Sequence, residues 1–479
     1  MSAEVTLPGA QRSTAEAEAL VRRVEETHDL LRVQLDGWCV WPLFRLAAGY
    51  ALEALPLTPA PPMPRSARLQ LAAGDLGGAL RLRRSPWLVK SLVSGLADVE
   101  DGRYKDVWFE ELLDALPGAV KVDGVNNAAF LQRRAQARRP SRMTSGLMEV
   151  AAGALGRLPV PPEVDAAAAA LAAAWEAEVP GTFTADWFRA GLVRHRWMKR
   201  MWGAVLARVR PKVVFTADPG EHALAAAARE RGARVLEMQH GSIDRHHHAY
   251  GWTGYAGAYR DRMPLPHHLL LQGEHWRGEL LPNGFWEPQV VVAGSLRMDA
   301  YRARRAAPAD GTRMVLVTSQ GIDVPKVAAF LADFLRDEAD ADLRLVIKLH
   351  PAYEREKDAY AEVMRDPRAR VLLGSEGEST FDLLVRAHLH LSVSSTCHYE
   401  ALGLGVPTAI LPFATHEIVE PLREAGHARL LDSPAALRAL LREGGGPGVP
   451  REVSAYYFAP DALARIRALL DAPADASRA

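Results

Sequence analysis

From Thr182 onward, short apolar runs alternate with segments of helical periodicity, and this alternation constrains the fold more than any other feature of the sequence. The runs at 213–216 and 235–238 flank a helical segment that ends at Gly232, as helices commonly end at a glycine. Continuous apolar runs are typical of strands buried in a parallel sheet. We therefore predict a β-α-β unit here, as part of a doubly wound α/β sheet.

The same alternation is repeated in the C-terminal part of the chain. We predict further strands at 268–271, 290–294, 314–317, 343–348, 371–373, 389–393 and 406–411. A chain of 479 residues is too long for a single hydrophobic core. We therefore predict two Rossmann-like doubly wound domains that face a cleft, residues 1–289, with helical additions before about residue 181, and residues 290–479.

Composition excludes several classes of function. Lys plus Arg and Asp plus Glu number 58 each, so the zero net charge gives no general argument for nucleic-acid binding. The two cysteines, Cys39 and Cys397, lie far apart, which argues against a disulfide framework or a Cys-based zinc site. We find no signal peptide and no run long enough to span a bilayer. We therefore expect a cytoplasmic protein whose contact with a membrane, if any, is peripheral.

Short polar motifs follow three of the predicted strands. They are Gln239-His240-Gly241, Lys348-Leu349-His350-Pro351 and Ser394-Ser395-Thr396. Ligands of doubly wound sheets bind beyond the carboxyl ends of the strands. Each motif is weak by itself, but their recurrence at equivalent strand ends indicates a binding cleft.

The hydroxyl motif precedes a predicted helix that carries Glu400. One of the hydroxyls of Ser394, Ser395 and Thr396 could cap that helix. Several hydroxyls beside free backbone N–H groups favour the alternative, which is phosphate binding. Glu400, one turn into the helix, could accept hydrogen bonds from a ribose or a base, or it could be a solvated or capping residue.

Candidate ligand contacts and bases lie at the other strand ends. Lys348 and His350 are two residues apart, so a strand would place both donors on one side, where we predict that they bind the ligand. His240 and Asp218 follow neighbouring strands, and either could take a proton from a hydroxyl. We favour His240 slightly, with Asp218 as the rival base or as the residue that orients the histidine. Gly241 would let a substrate approach closely.

Two groups of histidines are interpreted as outside the site. The consecutive His246, His247 and His248 cannot all face one ion in regular structure, so we predict a mobile loop and no metal site. His388 and His390 lie at the start of a predicted strand, at the end opposite to the ligand edge, and are predicted to be structural.

These motifs resemble those of bacterial capsule and surface-polysaccharide transferases of the GT-B fold. The relatives include Kdo transferases, sialyltransferases and CDP-glycerol glycerophosphotransferases. The resemblance rests on the Gln-His-Gly and Lys-x-His-Pro motifs and on the segment from Ser394 to Pro407, with further matches at 269–274 (LLLQGE) and 294–299 (GSLRMD). It covers roughly residues 211–412.

The resemblance implies a metal-independent GT-B glycosyltransferase with no cofactor besides its nucleotide-sugar substrate. By it, His350, Ser394 and Ser395 would contact the donor phosphate, and Glu400 would hold the nucleoside. His240 matches a histidine proposed as base, or as a phosphate contact, in the glycerophosphotransferases. The full predicted set is Lys348, His350, Ser394, Ser395, Thr396, Glu400 and Gln320 for the donor, His240 and Asp218 for catalysis, and Gln239, Gly241 and Arg297 elsewhere in the cleft.

Segments outside the main motifs allow weaker interpretations. Residues 100–102 (EDG) fit a motif that supplies the base in several sialyltransferases, but no clear strand precedes them and we interpret them as a turn. Residues 38–45 (WCVWPLFR) are interpreted as the packed start of a helix, with an acceptor-binding surface as the alternative. Residues 56–64 and 153–180 are interpreted as connectors or surface excursions.

The leading hypothesis is transfer of a sugar from a CMP- or CDP-linked donor to a surface polysaccharide or glycolipid. Residues 1–289 would then hold a glycan or lipid-linked acceptor, residues 290–479 would hold the donor, and any peripheral contact would be with the inner face of the bacterial inner membrane. A nucleotide-sugar epimerase of the same fold and a non-catalytic GT-B scaffold subunit are the alternatives.

Overall fold

We describe the protein from a computed structural model that covers residues 12–53, 63–93, 98–125, 131–305, 312–350, 357–374, 377–445 and 448–472. In these ranges, none of the helices combines the length and the apolar character that crossing a membrane requires. The strands are β1 (Gln34–Leu35), β2 (Trp38–Cys39), β3 (Trp87–Val93), β4 (Val99–Glu100), β5 (Arg103–Tyr104), β6 (Val120–Val125), β7 (Met143–Thr144), β8 (Val213–Thr216), β9 (Arg234–Met238), β10 (His268–Leu271), β11 (Val290–Val292), β12 (Arg313–Thr318), β13 (Leu343–Lys348), β14 (Ala369–Leu372), β15 (Leu389–Ser392), β16 (Thr408–Ile410) and β17 (Ala428–Leu430).

Helices connect these strands. They are α1 (Thr14–Thr27), α2 (Pro42–Leu52), α3 (Arg65–Leu80), α4 (Glu110–Ala115), α5 (Leu131–Ala135), α6 (Gly146–Leu155), α7 (Pro162–Glu178), α8 (Ala185–Val209), α9 (His222–Arg229), α10 (Glu274–Leu280), α11 (Leu296–Arg302), α12 (Val324–Asp337), α13 (Thr380–Leu384), α14 (Cys397–Gly403), α15 (Glu420–Glu424), α16 (Pro434–Arg442), α17 (Arg451–Tyr457) and α18 (Ala462–Asp471).

The strands build two parallel sheets of the same topology. The first has the order β11-β10-β9-β8-β3-β6-β7 and the second β14-β13-β12-β15-β16-β17. All neighbouring strands within each sheet are parallel. Counted along the chain, both follow the Rossmann order in which the third, second and first strands precede the fourth. The predicted fold class, two Rossmann-like doubly wound α/β domains with additional N-terminal helices, is confirmed.

The central strands are apolar because helices cover both faces of each sheet. Every residue of β8 and of β15 is buried. On α12, Val327, Leu331 and Phe334 recur at helical spacing and pack into the core of the second sheet. This rigid framework fixes the positions of the loops that follow the carboxyl ends of the strands.

The region before Thr182 contributes more to the first sheet than its sequence predicts. Strands β3, β6 and β7 all come from the part predicted to hold helical additions. These strands carry buried charged residues such as Lys90 and Asp123, which interrupt the apolar runs that mark strands elsewhere. The boundary at residue 290 stays a prediction.

The interpretation of residues 153–180 as a connector is wrong. Most of this segment is α7, in which Leu171 and Trp175 are fully buried. The 38–45 segment does form a packed helix start, since Trp41 is fully buried and Pro42 begins α2. Of the other predicted connector, at 56–64, only residues 63 and 64 are described.

The last two helices return to the first sheet. On α18, Ala462 and Ile466 pack into a core that includes Val89 of β3 and Leu236 of β9. The carboxylate of Asp299, on α11, accepts a hydrogen bond of 2.7 Å from the backbone N–H of Ala462 at the start of α18. The C-terminal part of the described chain is therefore built into the first domain.

Two glycines let the returning segment approach closely. A Cβ atom on Gly273 would lie 2.3 Å from the carbonyl oxygen of Tyr457, and one on Gly294 would lie 2.4 Å from that of Ala459. Both glycines belong to motifs that carry the resemblance, 269–274 and 294–299. In this structure they serve the packing of the returning helix.

Candidate functional site

Each sheet has a switch point at which the strand order reverses, between β3 and β8 in the first and between β12 and β15 in the second. In doubly wound sheets the ligand crevice lies at the carboxyl ends of the strands next to this point. Asp218 follows β8 directly, and Gln320 and Ser394 follow β12 and β15. The predicted motifs therefore lie at or beside the two switch points.

A buried ion pair that the sequence did not predict occupies the first switch point. Lys90 of β3 is 3% exposed, and its ammonium nitrogen lies 2.5 Å from a carboxylate oxygen of Glu221. Burial by itself would lower the pKa of Lys90, but the surrounding carboxylates, foremost Glu221 and Asp218, outweigh it and raise that pKa. Lys90 is thus a fixed cation beneath the half-buried Asp218.

Asp218 is held in a defined turn after β8. Its side chain accepts a hydrogen bond of 2.8 Å from the backbone N–H of Gly220, and its own N–H donates to the hydroxyl of Thr216 at 3.2 Å. The carboxylate is half-buried and electrostatically coupled to both Lys90 and His240. This placement suits the orienting role that we assigned to it as an alternative to base.

His240 follows the next strand, β9, and has an unused ring nitrogen. Its Nδ1 is buried without a hydrogen-bond partner among the described residues. Burial lowers the pKa of the imidazole, against the opposing effect of Asp218. The ring is bordered by Trp108 and Tyr250, with centroids 6.5 Å and 6.4 Å away. A neutral imidazole with a free nitrogen can accept a proton.

A buried carboxyl group, that of Glu237, lies on the strand three residues before this histidine. Burial raises the pKa of Glu237 to about 8, and the hydroxyl of Tyr250 donates to its carboxylate. Glu237 is in β9, in register with Thr216 of β8. It therefore holds Tyr250, and with it one side of the His240 environment, in place.

The neighbours of His240 have different roles. The amide oxygen of Gln239 accepts from the backbone N–H of Gln272 at 2.9 Å, and its amide nitrogen donates to the carbonyl of Gly241 at 2.7 Å. Gln239 is buried and fixes the loop, so the structure does not place it as a ligand contact in the cleft. Above Gly241, by contrast, a Cβ atom would meet nothing within 4 Å, so the approach that we predicted there is open.

Gln320 and Ser394 meet at the second switch point. Both the backbone N–H and the hydroxyl of Ser394 lie 3.2 Å from the amide oxygen of Gln320. The same hydroxyl is 2.8 Å from that of Thr415, in the loop after β16. Three loops thus bring hydroxyl and amide groups together at one sheet edge.

The other two hydroxyls of this motif differ from Ser394. The buried Ser395 accepts a hydrogen bond of 3.2 Å from the backbone N–H of Cys397 and so caps the start of α14, which was the alternative to phosphate binding. Thr396 makes no capping hydrogen bond and is exposed. One hydroxyl therefore orders the helix, and Ser394 and Thr396 remain as candidate ligand contacts.

Lys348 and His350 separate at the end of β13. Lys348 is buried, and its ammonium donates a 2.9 Å hydrogen bond to the carbonyl of Leu373, in the chain after β14. His350 is half-buried two residues beyond the strand, next to the loop of Gln320, and burial lowers its pKa. Lys348 thus supports the neighbouring strand end, and His350 is the better candidate for a ligand contact. Pro351 lies outside the described residues.

Arg297 ties the two domains together. Its guanidinium makes two hydrogen bonds of 2.6 Å to the carboxylate of Asp98, which lies between β3 and β4, and stacks 3.8 Å from the ring centroid of Phe381 on α13. Electrostatic coupling reaches Glu400 on α14, whose pKa is raised by burial and lowered in part by Arg297. Arg297 is half-buried with its guanidinium bound to Asp98, and its role in the cleft stays a prediction.

An aromatic contact places α14 against the first domain. The rings of His275 on α10 and Tyr399 on α14 are stacked at 5.3 Å. Because α10 follows β10 and α14 follows β15, the carboxyl sides of the two sheets face each other here. Glu400, the residue after Tyr399, is half-buried at this junction.

The prediction of a mobile loop at the three histidines is wrong. His248 is 1% exposed, and its two ring nitrogens lie 3.0 Å from Glu18 and 2.7 Å from Glu53. These carboxylates raise the pKa of the imidazole against the effect of burial. His248 therefore fastens the loop after β9 to α1 and to the end of α2.

Other predictions about individual residues are confirmed. His390 is structural, since its ring nitrogens each lie 2.8 Å from a buried threonine hydroxyl, of Thr318 and of Thr408. Residues 100–102 form the turn between β4 and β5, with Asp101 and Gly102 at positive φ angles of 51° and 72°.

Known proteins resemble this chain in fold but not in sequence. No family model matches the sequence, and a search of curated proteins finds no match. The UDP-GlcNAc 2-epimerase from Methanocaldococcus jannaschii is similar in structure, with a TM-score of 0.50 and 13% identity over 81% of this chain and 99% of that one. The enzyme from Neisseria meningitidis, bound to UDP-GlcNAc, has a TM-score of 0.50 and 14% identity over 80% and 99%. These similarities establish the GT-B fold.

Proposed function

We propose that this protein is a glycosyltransferase that moves a sugar from a CMP- or CDP-linked donor to a surface polysaccharide or glycolipid acceptor. The observation that carries the proposal is His240, a half-buried imidazole whose Nδ1 is buried without a partner among the described residues, beside Asp218 at one switch point. At the switch point of the second sheet, the polar side chains of Gln320 and Ser394 lie next to each other. The similar Neisseria meningitidis enzyme is bound to UDP-GlcNAc, which supports a nucleotide-activated donor for this fold.

The second domain would hold the donor. His350, Ser394 and Thr396 would contact the donor phosphates, whose negative charge increases as the bond to the sugar breaks. Ser395 would contribute indirectly, by capping α14. Lys348 would contribute indirectly as well, by holding the end of the neighbouring strand in place. Glu400, at the junction with the first domain, would bind the nucleoside.

The first domain would activate the acceptor. Nδ1 of His240 takes the proton of the acceptor hydroxyl, the hydroxyl oxygen bonds to the anomeric carbon, and the nucleotide leaves with the electron pair of the broken bond. Asp218 stabilises the imidazolium that results, and Lys90 adds a fixed positive charge close to Asp218. Open space at Gly241 would let the acceptor approach the loop that carries the histidine.

A nucleotide-sugar epimerase is the second candidate. The carboxylates of Asp218 and Glu221 lie together near Lys90, and paired acidic groups could remove a proton from a sugar carbon and return it. Incubation with UDP-sugars in heavy water distinguishes the candidates. An epimerase exchanges the hydrogen at the inverted carbon with solvent, whereas a transferase leaves the sugar unexchanged.

Thermal stabilisation by CMP, CDP, UDP, GDP and ADP, with and without Mg²⁺, tests the proposal. A ligand at about a hundred times its Kd stabilises the native state by roughly 2.7 kcal/mol. We expect stabilisation by CMP or CDP that His350→Ala abolishes and His240→Ala retains. Transfer of labelled sugar to a glycolipid extract should be lost in both variants.

His388→Ala is the matched control, because His388 is half-buried at the opposite end of the second sheet and should leave nucleotide binding unchanged. Stabilisation by UDP alone, together with solvent exchange, would favour the epimerase. No stabilisation by any nucleotide would contradict both enzymatic candidates and leave the scaffold subunit.

A further inference from the structure

Three leucine side chains of helix α3 are exposed to solvent. Leu69, Leu76 and Leu80 are 61%, 58% and 77% exposed. At the helical repeat these positions lie within a stripe about 40° wide, so they form one surface. Single exposed apolar residues are common on proteins, whereas a stripe of large ones that runs along a helix marks an interaction surface.

The opposite face of α3 fixes this orientation. Asp75 is 1% exposed, and its carboxylate accepts hydrogen bonds from the hydroxyl of Thr144 at 2.6 Å and from the backbone N–H of Leu147 at 3.0 Å. On the same buried face, Gly78 packs so closely that a Cβ atom would lie 2.0 Å from the carbonyl oxygen of Arg142. The leucines are therefore held outward by a helix that cannot rotate to bury them.

The charged side chains that α3 and the following residues 81–84 expose are all positive. The only acidic residue of α3 is the buried Asp75. Exposed arginines lie at both ends of the stripe, namely Arg65, Arg68, Arg81, Arg83 and Arg84. Neither Arg83 nor Arg84 pairs with a carboxylate in the part of the chain that the structure describes. This is a local basic surface on a protein whose net charge is zero.

We propose that this face of α3, with the arginines at 81–84, docks on an anionic lipid bilayer. Leucine side chains would enter the boundary between headgroups and acyl chains, while the arginines contact lipid phosphates. Surface leucines flanked by arginines, in a segment whose one acidic residue is the buried Asp75, are complementary to such a surface in both polarity and charge. The inference goes beyond the proposed glycosyl transfer and does not depend on it, because docking requires no chemistry at the cleft.

Flotation of the full-length protein with vesicles tests the proposal. Phosphatidylcholine vesicles are compared with vesicles that also contain phosphatidylglycerol, at low and at high salt. We expect binding only to the anionic vesicles, weakened by salt. Leu69→Ser/Leu76→Ser/Leu80→Ser should abolish flotation, and Arg83→Glu/Arg84→Glu should weaken it by roughly tenfold or more.

Matched controls use exposed residues elsewhere. Ile418→Ser, at 67% exposure, and Arg451→Glu/Arg467→Glu on the C-terminal helices should bind vesicles like the unchanged protein. Melting curves establish whether each variant is folded. If the leucine variant does not fold, the variant with both arginines replaced still tests the proposal. Absence of flotation, or equal flotation of all variants, would overturn the proposal. So would a dimer in vesicle-free solution that the leucine substitutions dissociate, since the stripe would then bind a second copy.

Discussion

Neighbouring carboxylates stabilise the positive charge of the buried Lys90. Replacing Lys90 should therefore destabilise the protein. Lys90→Met leaves the carboxylate of Glu221, with only 17% of its side chain exposed, opposite an apolar group. We expect a loss of about 3 kcal/mol in the free energy of unfolding, because removing one partner of a buried ion pair leaves an uncompensated charge. Urea unfolding measures the difference.

A second variant distinguishes the contribution of the ion pair to stability from that of side-chain packing. Lys90→Met/Glu221→Leu removes both charges and should recover most of the lost stability. Lys105→Met is the matched control, since Lys105 pairs with Glu111 at 3.1 Å nearer the surface and should cost roughly 1 kcal/mol or less. A double variant as unstable as Lys90→Met would show that the loss came from packing.

Sequence reasoning located residues that follow apolar strands and missed those inside strands. His240 and Asp218 could be found because each comes directly after a recognisable apolar run. Lys90 could not be found that way, although a lone lysine within the run 87–93 (WLVKSLV) is a usable signal for a buried charge. The pairing of Arg297 with Asp98 joins positions 199 residues apart, and no local pattern encodes it.

At the scale of elements, the contact of α2 with the loop after β9 depends on one glycine. A Cβ atom on Gly49 would lie 2.1 Å from the imidazole of His248, whose two nitrogens are both bound by carboxylates. Gly49→Ala should therefore destabilise the protein by roughly 1–3 kcal/mol through overpacking. Thermal and urea unfolding check this.

The control for this substitution is another helical glycine. Gly153 lies in α6, and a Cβ atom there meets nothing within 4 Å. Gly153→Ala should leave stability unchanged or raise it by up to about 1 kcal/mol, because alanine favours helix. If both substitutions stabilise, the His248 ring has room to move and the loop is not fixed by α2.

Helices and strands were predictable where their apolar or amphipathic pattern differs clearly from the polar loops on either side. Strands β12 to β16 and helix α8 are predicted from the sequence within a few residues, because each is apolar or amphipathic between polar loops. Helix α7 was interpreted as part of a connector because alanine occupies both its buried and its exposed face, so the sequence has little periodic contrast.

At the scale of the whole molecule, the return of α18 to the first sheet depends on Gly273. Gly273→Ala would force a Cβ atom against the backbone carbonyls of Tyr456 and Tyr457, at 2.4 Å and 2.3 Å. Because main chain gives way less readily than a side-chain end, we expect a lower Tm and faster hydrogen exchange in α18. Exchange mass spectrometry locates the effect.

Gly278→Ala provides the matched control in α10, the helix that directly follows Gly273, because a Cβ atom at Gly278 meets nothing within 4 Å. It should leave exchange in α18 unchanged. If Gly278→Ala instead speeds hydrogen exchange across the entire first domain, any substitution in α10 destabilises that domain. The effect of Gly273→Ala would then not be specific to the packing of α18.

The global topology was partly predictable. Strands β12 to β16 of the second sheet follow from the alternation predicted along 314–411, whereas β17 was not predicted. The strand order of this sheet obeys the Rossmann rule. The docking of α18 on the first sheet depends on contacts between distant segments, such as the bond between Asp299 and Ala462, which only the folded structure shows.

The return of α18 also sets an order of events during synthesis. Ala462 and Ile466 cover apolar side chains of strands that leave the ribosome several hundred residues earlier. Until α18 has been made, part of the first sheet stays uncovered and open to chaperones or to unwanted association. The second domain must therefore be translated before the first can close, which couples the maturation of the two halves of the protein.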